Sequence, residues 1–130
     1  AVDRNNPRVS NLFDHLHPAV LAALEQIQQQ CEVLGLPVSL CGEMASDPAA
    51  VLLLTAMGYS TLSLSAYHIP RIKLLLRSIS RESLQPLLEQ TRHCNSETEI
   101  RALIAPLLEA VGWGQDKRPS LPEERAGTEP

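Results

Sequence analysis

LPVSLCGEMASDPAAVLLLTAMGYSTLSLSAYHIPRIK, residues 36–73, reads as strand, polar loop, helix, strand, loop and helix. Val38, Leu40, Leu62 and Leu64 mark two short β-prone runs. Between them, Asp47-Pro48 opens an apolar segment that Gly58 closes. An Asp cap, a Pro in the first turn and a Gly just past the end are the punctuation of a helix. Two strands flanking one helix predict a βαβ unit, which is parallel with a right-handed crossover. Sites in such sheets lie at the carboxyl ends of the strands. Cys41-Gly42-Glu43 falls at that end of the first strand.

Outward from this unit the chain reads as helices. Residues 1–14 form a polar loop, and Val20, Leu21, Leu24, Ile27, Cys31 and Leu34 recur at helical spacing over residues 17–34. His17 caps that helix, Pro18 fits its first turn and Gly35 ends it, so Gln26, Gln28, Gln29 and Gln30 are expected to face solvent. Ile69-Pro70 opens a further helix to about residue 78. Ser80 caps another to about residue 92, with Pro86 counting against its interior. Ser96-Glu97-Thr98-Glu99 has the form of a capping box, leading a helix through Ile100 and Leu107 that Pro106 is expected to kink. Domain organisation follows as residues 1–111 for the folded body and 112–130 for a disordered tail, tethered through Trp113. In the tail apolar periodicity stops, and too little surface can be buried to offset ordering entropy.

Composition excludes several classes. A net charge of −4 offers no basic field for nucleic acid, and two Tyr, one Trp and one Phe provide no stacking platform. No apolar run reaches membrane-span length, and no signal segment opens the chain, so a cytoplasmic location is the expectation. Cys31, Cys41 and Cys94 are too widely spaced for a CxxC motif. Cys31 reads as a core residue, Cys94 as packed or exposed, and Cys41 alone is placed for chemistry. Two strands cannot easily stand alone, which predicts a piece of a larger α/β domain.

The segment CGEMASDPAAVLLLTAMGYSTLSLSAYHIPRIK, preceded by VDRNN at residues 2–6, resembles the end of the phosphoenolpyruvate-binding barrel of Enzyme I. That family comprises the phosphoenolpyruvate-protein phosphotransferases of the bacterial phosphotransferase systems. VDRNNPRVSNLFDHLHPAVL resembles the nitrogen-type branch most. Pyruvate phosphate dikinase and phosphoenolpyruvate synthase share a related site, so a fragment of either is an alternative. A non-catalytic dimerisation remnant is another.

The resemblance implies an α/β fold, a partial (β/α)8 TIM barrel holding its last strands and helices. It implies transfer of phosphate from phosphoenolpyruvate to a protein histidine with release of pyruvate. It places the proton donor for the enolate on Cys41 and a phosphate ligand on Arg4. An ordinary thiol, with a pKa of roughly 8.5, is mostly protonated at neutral pH and can act as that acid. A guanidinium suits phosphate because its planar fork grips two oxygens. Gly42 would let backbone approach the ligand closely, and Glu43 would orient nearby groups. Ser46 stands where the family commonly has Gly, which puts the loop dihedrals in question.

The resemblance also implies Mg2+ in the complete enzyme, held by ligands outside this chain. It implies an HPr-like phosphocarrier partner and a homodimer, and the isolated chain is expected to be inactive. Asp3, Glu43 and Asp47 do not read as a metal site. His15, His17, His68 and His93 read as caps, surface or packing residues. Arg71, Lys73, Arg77 and Arg81 read as a solvated face complementing a helix end, with a partner contact as the other reading.

Overall fold

The structure is a computed structural model that describes residues 6, 8 and 14–114. Helix α1 spans Pro18–Val33. His17 Nδ1 accepts from the Ala19 amide at 3.2 Å, supplying the expected cap. At the other end Gly35 takes φ 65°, and the Leu36 and Gly35 amides donate back to Cys31 and Glu32, a Schellman ending.

The face that α1 buries differs from the expected one. Leu21 and Gln28 are buried, whereas Val20, Ile27 and Leu34 are 38%, 49% and 67% exposed. Cys31 is only half-buried. The reason lies in Gln28, whose amide nitrogen donates to the Gly58 carbonyl at 3.1 Å and so closes the end of the next helix. Its Oε1 has no hydrogen-bond partner among the described residues. The demand of one orphan carbonyl turns a glutamine inward.

Strand β1, Ser39–Cys41, pairs in parallel with β2, Thr61–Ser63, in the register Ser39↔Thr61, Leu40↔Leu62 and Cys41↔Ser63. Period-two alternation sends Leu40 and Leu62 onto the core and leaves Ser39, Cys41, Thr61 and Ser63 exposed. The loop expected after β1 is a 3-10 helix, Glu43–Ser46. Helix α2, Pro48–Met57, follows with Asp47 as its cap, and Gly58 at φ 109° ends it.

Helix α2 is the hub of the molecule. Ala49 to Leu54, Ala56 and Met57 are all buried, because α1, α3, α4 and α5 surround it. A helix that is apolar on every side has to be enclosed. Its one polar interior residue, Thr55, returns its hydroxyl to the Val51 carbonyl at 2.8 Å.

The enclosing helices are α3, Ile69–Arg77; α4, Arg81–Thr91; and α5, Glu97–Ala110. Helix α4 runs through Pro86 and α5 through Pro106, because Leu84, Leu88, Ile100 and Ile104 bury their side chains in the core. Ser96 Oγ accepts from the Glu99 amide, but the Glu99 carboxylate reaches one residue ahead of the expected box, to the Asn95 amide at 2.8 Å. Residues 112–114 form a turn after α5. Trp113 packs against the core, and the Arg71 guanidinium lies 4.7 Å from its ring centroid. The remainder of the expected tail, residues 115–130, lies outside the described residues.

The described residues thus form a mixed α/β fold with a small parallel sheet on one side of a helical core. Among them, no helix is long and apolar enough to cross a membrane.

Candidate functional site

Because the strands are parallel, the chain leaves both at the same end. There Cys41 and Ser63 are register partners, and the segments that follow them face each other across a cleft of about 430 Å3. One wall carries Cys41, Gly42, Glu43 and Ser46. The other carries Ser63, Leu64, Ser65 and His68. Of the three cysteines only Cys41 is exposed. Cys94 is half-buried, and burial, followed by the Glu99 carboxylate, pushes its thiol up.

Gly42 has φ 109° and ψ −170°, a region that only glycine occupies readily. A Cβ there would meet no atom within 4 Å, so the backbone dihedral alone requires glycine and the space above it is open. The Gly42 carbonyl accepts from Ala45, which starts the 3-10 helix, and Glu43 opens its first turn. Ser46 ends that helix without positive φ, so serine at this position fits the loop. Arg4 lies outside the described residues.

His68 joins Cys41 in this cleft, although from sequence it reads as a surface or packing residue. The signal was available in the topology. Residues following β2 have to flank those following β1 at the same end of a parallel pair. Tyr67 meets the His68 ring edge-on, with centroids 5.3 Å apart.

Behind the Cys41 wall stands a charged node. Asp47 Oδ1 accepts from the Ala49 amide at 2.9 Å, and Oδ2 accepts from His15 Nε2 at 2.7 Å and from Arg101 Nη2 at 2.8 Å. An ionised carboxylate only accepts, so the His15 proton in this bond is on Nε2. Arg101 Nε also donates to Glu97. Burial pushes the Asp47 carboxyl up, but Arg101 and His15 together hold it below the usual carboxylate range. Burial and a hydrogen bond with Glu97 raise Asp14, while Arg101 and Asp14 outweigh burial to lower Glu97. Asp47 is therefore fully engaged by protein groups.

Among the described residues, no three His, Cys, Asp or Glu side chains are grouped to hold a metal ion. A larger hollow of about 670 Å3 lies beside β2 and α3, lined mainly by Leu62, Ile69, Ile72, Leu76 and Ile79. Its lining is apolar, with Lys73 and Arg81 as its cations. Arg81 Nη2 also comes within 3.0 Å of where a Gly58 Cβ would stand, beside the end of α2.

A cleft at the carboxyl ends of parallel strands, with the exposed Cys41 as the last residue of β1, lies where the class of open α/β proteins places its sites. Sequence comparison then gives the family. The model of the PEP-binding domain of PEP-utilising enzymes matches residues 1–81, and the chain belongs to that family. It is 45% identical over 114 residues to the "Phosphoenolpyruvate-dependent phosphotransferase system" protein of Salmonella typhimurium, covering 88% of this chain and 15% of that protein. It is 38% identical over 121 residues to "Multiphosphoryl transfer protein 1" of Escherichia coli, covering 93% of this chain and 14% of that protein. Against the "Phosphoenolpyruvate-protein phosphotransferase" of Haemophilus influenzae it is 36% identical over 108 residues, 83% of this chain and 19% of that protein. The chain thus spans less than a fifth of these relatives' length.

Proposed function

We propose that the chain is the carboxyl-terminal part of the barrel of a phosphoenolpyruvate-protein phosphotransferase of the Enzyme I type. The observation that carries this reading is the exposed Cys41 thiol at the end of β1, on the wall of the strand-end cleft. Membership of the PEP-binding family supports phosphoenolpyruvate as the substrate. The uncovered sheet face of Ser39, Cys41, Thr61 and Ser63 supports a barrel interior, since parallel sheets are normally covered on both sides. The nitrogen-type branch rests on the wording of residues 2–21. An HPr-like phosphocarrier and a second copy of the chain complete the proposed partners.

In this reading, the phosphoryl group leaves phosphoenolpyruvate for a histidine outside this chain, and the enolate of pyruvate remains. Cys41 Sγ–H gives its proton to the terminal carbon, forming pyruvate and a thiolate that water reprotonates. Arg4 holds the substrate phosphate, Gly42 leaves room for it, and Glu43 orients groups beside Cys41. Mg2+ is assigned to ligands outside this chain and takes no part in the steps given to these residues.

The test is made in the full-length protein that carries this chain. Cys41→Ala is expected to leave phosphoenolpyruvate binding near wild type and to lower pyruvate formation by about 10²–10⁴-fold, the usual contribution of a general acid. Arg4→Ala is expected to weaken binding as well as turnover, because its charge acts on both ground and transition states. Normal turnover in Cys41→Ala would remove the thiol from the mechanism. The isolated 130-residue chain is expected to release no pyruvate above background.

A further inference from the structure

The loop that carries Cys41 is held at both ends. Strand pairing fixes Cys41 itself, and the other end is Asp47, whose amide donates to the Met44 carbonyl at 3.2 Å and closes the 3-10 helix. Between them Ala45 is fully buried and anchors the inner side of the loop, while Glu43 and Ser46 face the cleft. The position of the loop relative to the core therefore depends on where Asp47 is held.

Three groups from three elements hold it. The Ala49 amide belongs to α2, His15 comes from the segment that leads into α1, and Arg101 comes from α5. His15 and Arg101 converge on the same oxygen, Oδ2. Arg101 uses two nitrogens of its planar fork, Nη2 on Asp47 and Nε on Glu97. Helix α5 begins at Glu97, beyond the end of the family match at residue 81. A helix outside the matched region is thus bolted to the residue that ends the Cys41 loop.

We infer that Arg101 is a positioning residue for the loop that follows Cys41, acting through Asp47 to hold the Glu43–Ser46 wall that orients the thiol of the strand-fixed Cys41. This rests on the reading of Cys41 as the proton donor. In the proposed function Arg4 grips the substrate phosphate, so displacement of the Glu43–Ser46 wall falls mainly on proton delivery and little on substrate affinity. Small misplacements of a reacting group are costly, since about 1 Å can lower a rate about a hundredfold.

The experiment measures pyruvate release and phosphoenolpyruvate titration in the full-length protein. Arg101→Gln is expected to lower kcat roughly ten- to hundredfold with KM near wild type. Arg101→Lys keeps the charge but cannot span Asp47 and Glu97 together, and it recovers only part of the loss. In the Cys41→Ala background, Arg101→Gln is expected to cost nothing further, because its effect runs through the missing thiol. Thermal melts of each variant accompany the kinetics, and a kcat loss that follows the unfolded fraction would overturn the proposal. So would an equal loss in both backgrounds, or a change confined to KM. Low turnover in Cys41→Ala with normal turnover in Arg101→Gln overturns the positioning role alone. Full turnover in Cys41→Ala overturns the reading beneath it and the positioning role with it.

Discussion

Arg101 Nη2 stands 2.8 Å from Asp47 Oδ2, joining α5 to the cap of α2 across 54 residues of chain. Asp47 also caps α2, where a negative charge complements the positive end of the helix. Its side chain is only 11% exposed, whereas that of Arg101 is 42% exposed. The carboxylate is therefore the committed partner, and solvent screens part of the guanidinium's contribution.

Asp47→Asn isolates that charge, because asparagine caps a helix about as well as aspartate. The expected loss near neutral pH is about 1–2 kcal/mol, reduced by the exposure of Arg101. The Asp47 carboxyl titrates below its ordinary value, so its contribution is present above the unfolded pKa of roughly 3.9 and is lost as pH falls through the lower folded value. Urea unfolding of both forms should show the gap between them closing in acid below about pH 4. A gap that stays constant from neutral to strongly acidic pH would count against the ion pair.

Gly42→Ala tests backbone conformation without steric confusion, since the added Cβ meets nothing within 4 Å. The strained dihedral should cost on the order of 1–3 kcal/mol. Gly35 at φ 65° is equally open, so Gly35→Ala serves as the control, costing roughly 1–2 kcal/mol. If Gly42 shapes the cleft, only Gly42→Ala should lower pyruvate formation in the full-length protein. Equal activity in the two variants would reduce Gly42 to a turn residue.

Leu53 and Leu74 are both leucines on helices, yet Leu53 is fully buried and Leu74 is 69% exposed. Leu53→Ala should destabilise the fold by about 2–5 kcal/mol, through lost transfer energy and the cavity left in the hub. Leu74→Ala should stay within roughly 0.5 kcal/mol of wild type. Comparable losses at both positions, read by urea midpoint, would show that α2 is not the centre of the core.

The order of elements was legible in residues 36–73 because its signals are local. Asp47-Pro48 and Gly58 bound α2 through backbone bonds within one turn, and alternation at Leu40 and Leu62 sets which face of each strand is buried. Ser80 and Ser96 likewise cap α4 and α5 through amides three residues on. Parallel pairing then puts Cys41 at a strand end, as the sequence predicts. The 3-10 turn at Glu43–Ser46 escaped such a reading because its ordering comes from Ala45 buried beneath it, a tertiary contact.

Tertiary structure alone decided which face of α1 turns inward. Periodicity over residues 17–34 favours Val20, Ile27 and Leu34, but the carbonyl of Gly58 takes its hydrogen bond from Gln28, and no pattern within the helix records that distant demand. The same holds for His68, whose place in the cleft comes from the geometry of β2 and not from its neighbours in sequence. Asp47 shows the division within one residue. Its role as a cap follows from the proline beside it, while its union with His15 and Arg101 required three segments to fold against one another. Hydrogen bonds between near neighbours leave a signature in sequence, and those that close long loops are settled only when the core that brings their ends together has formed.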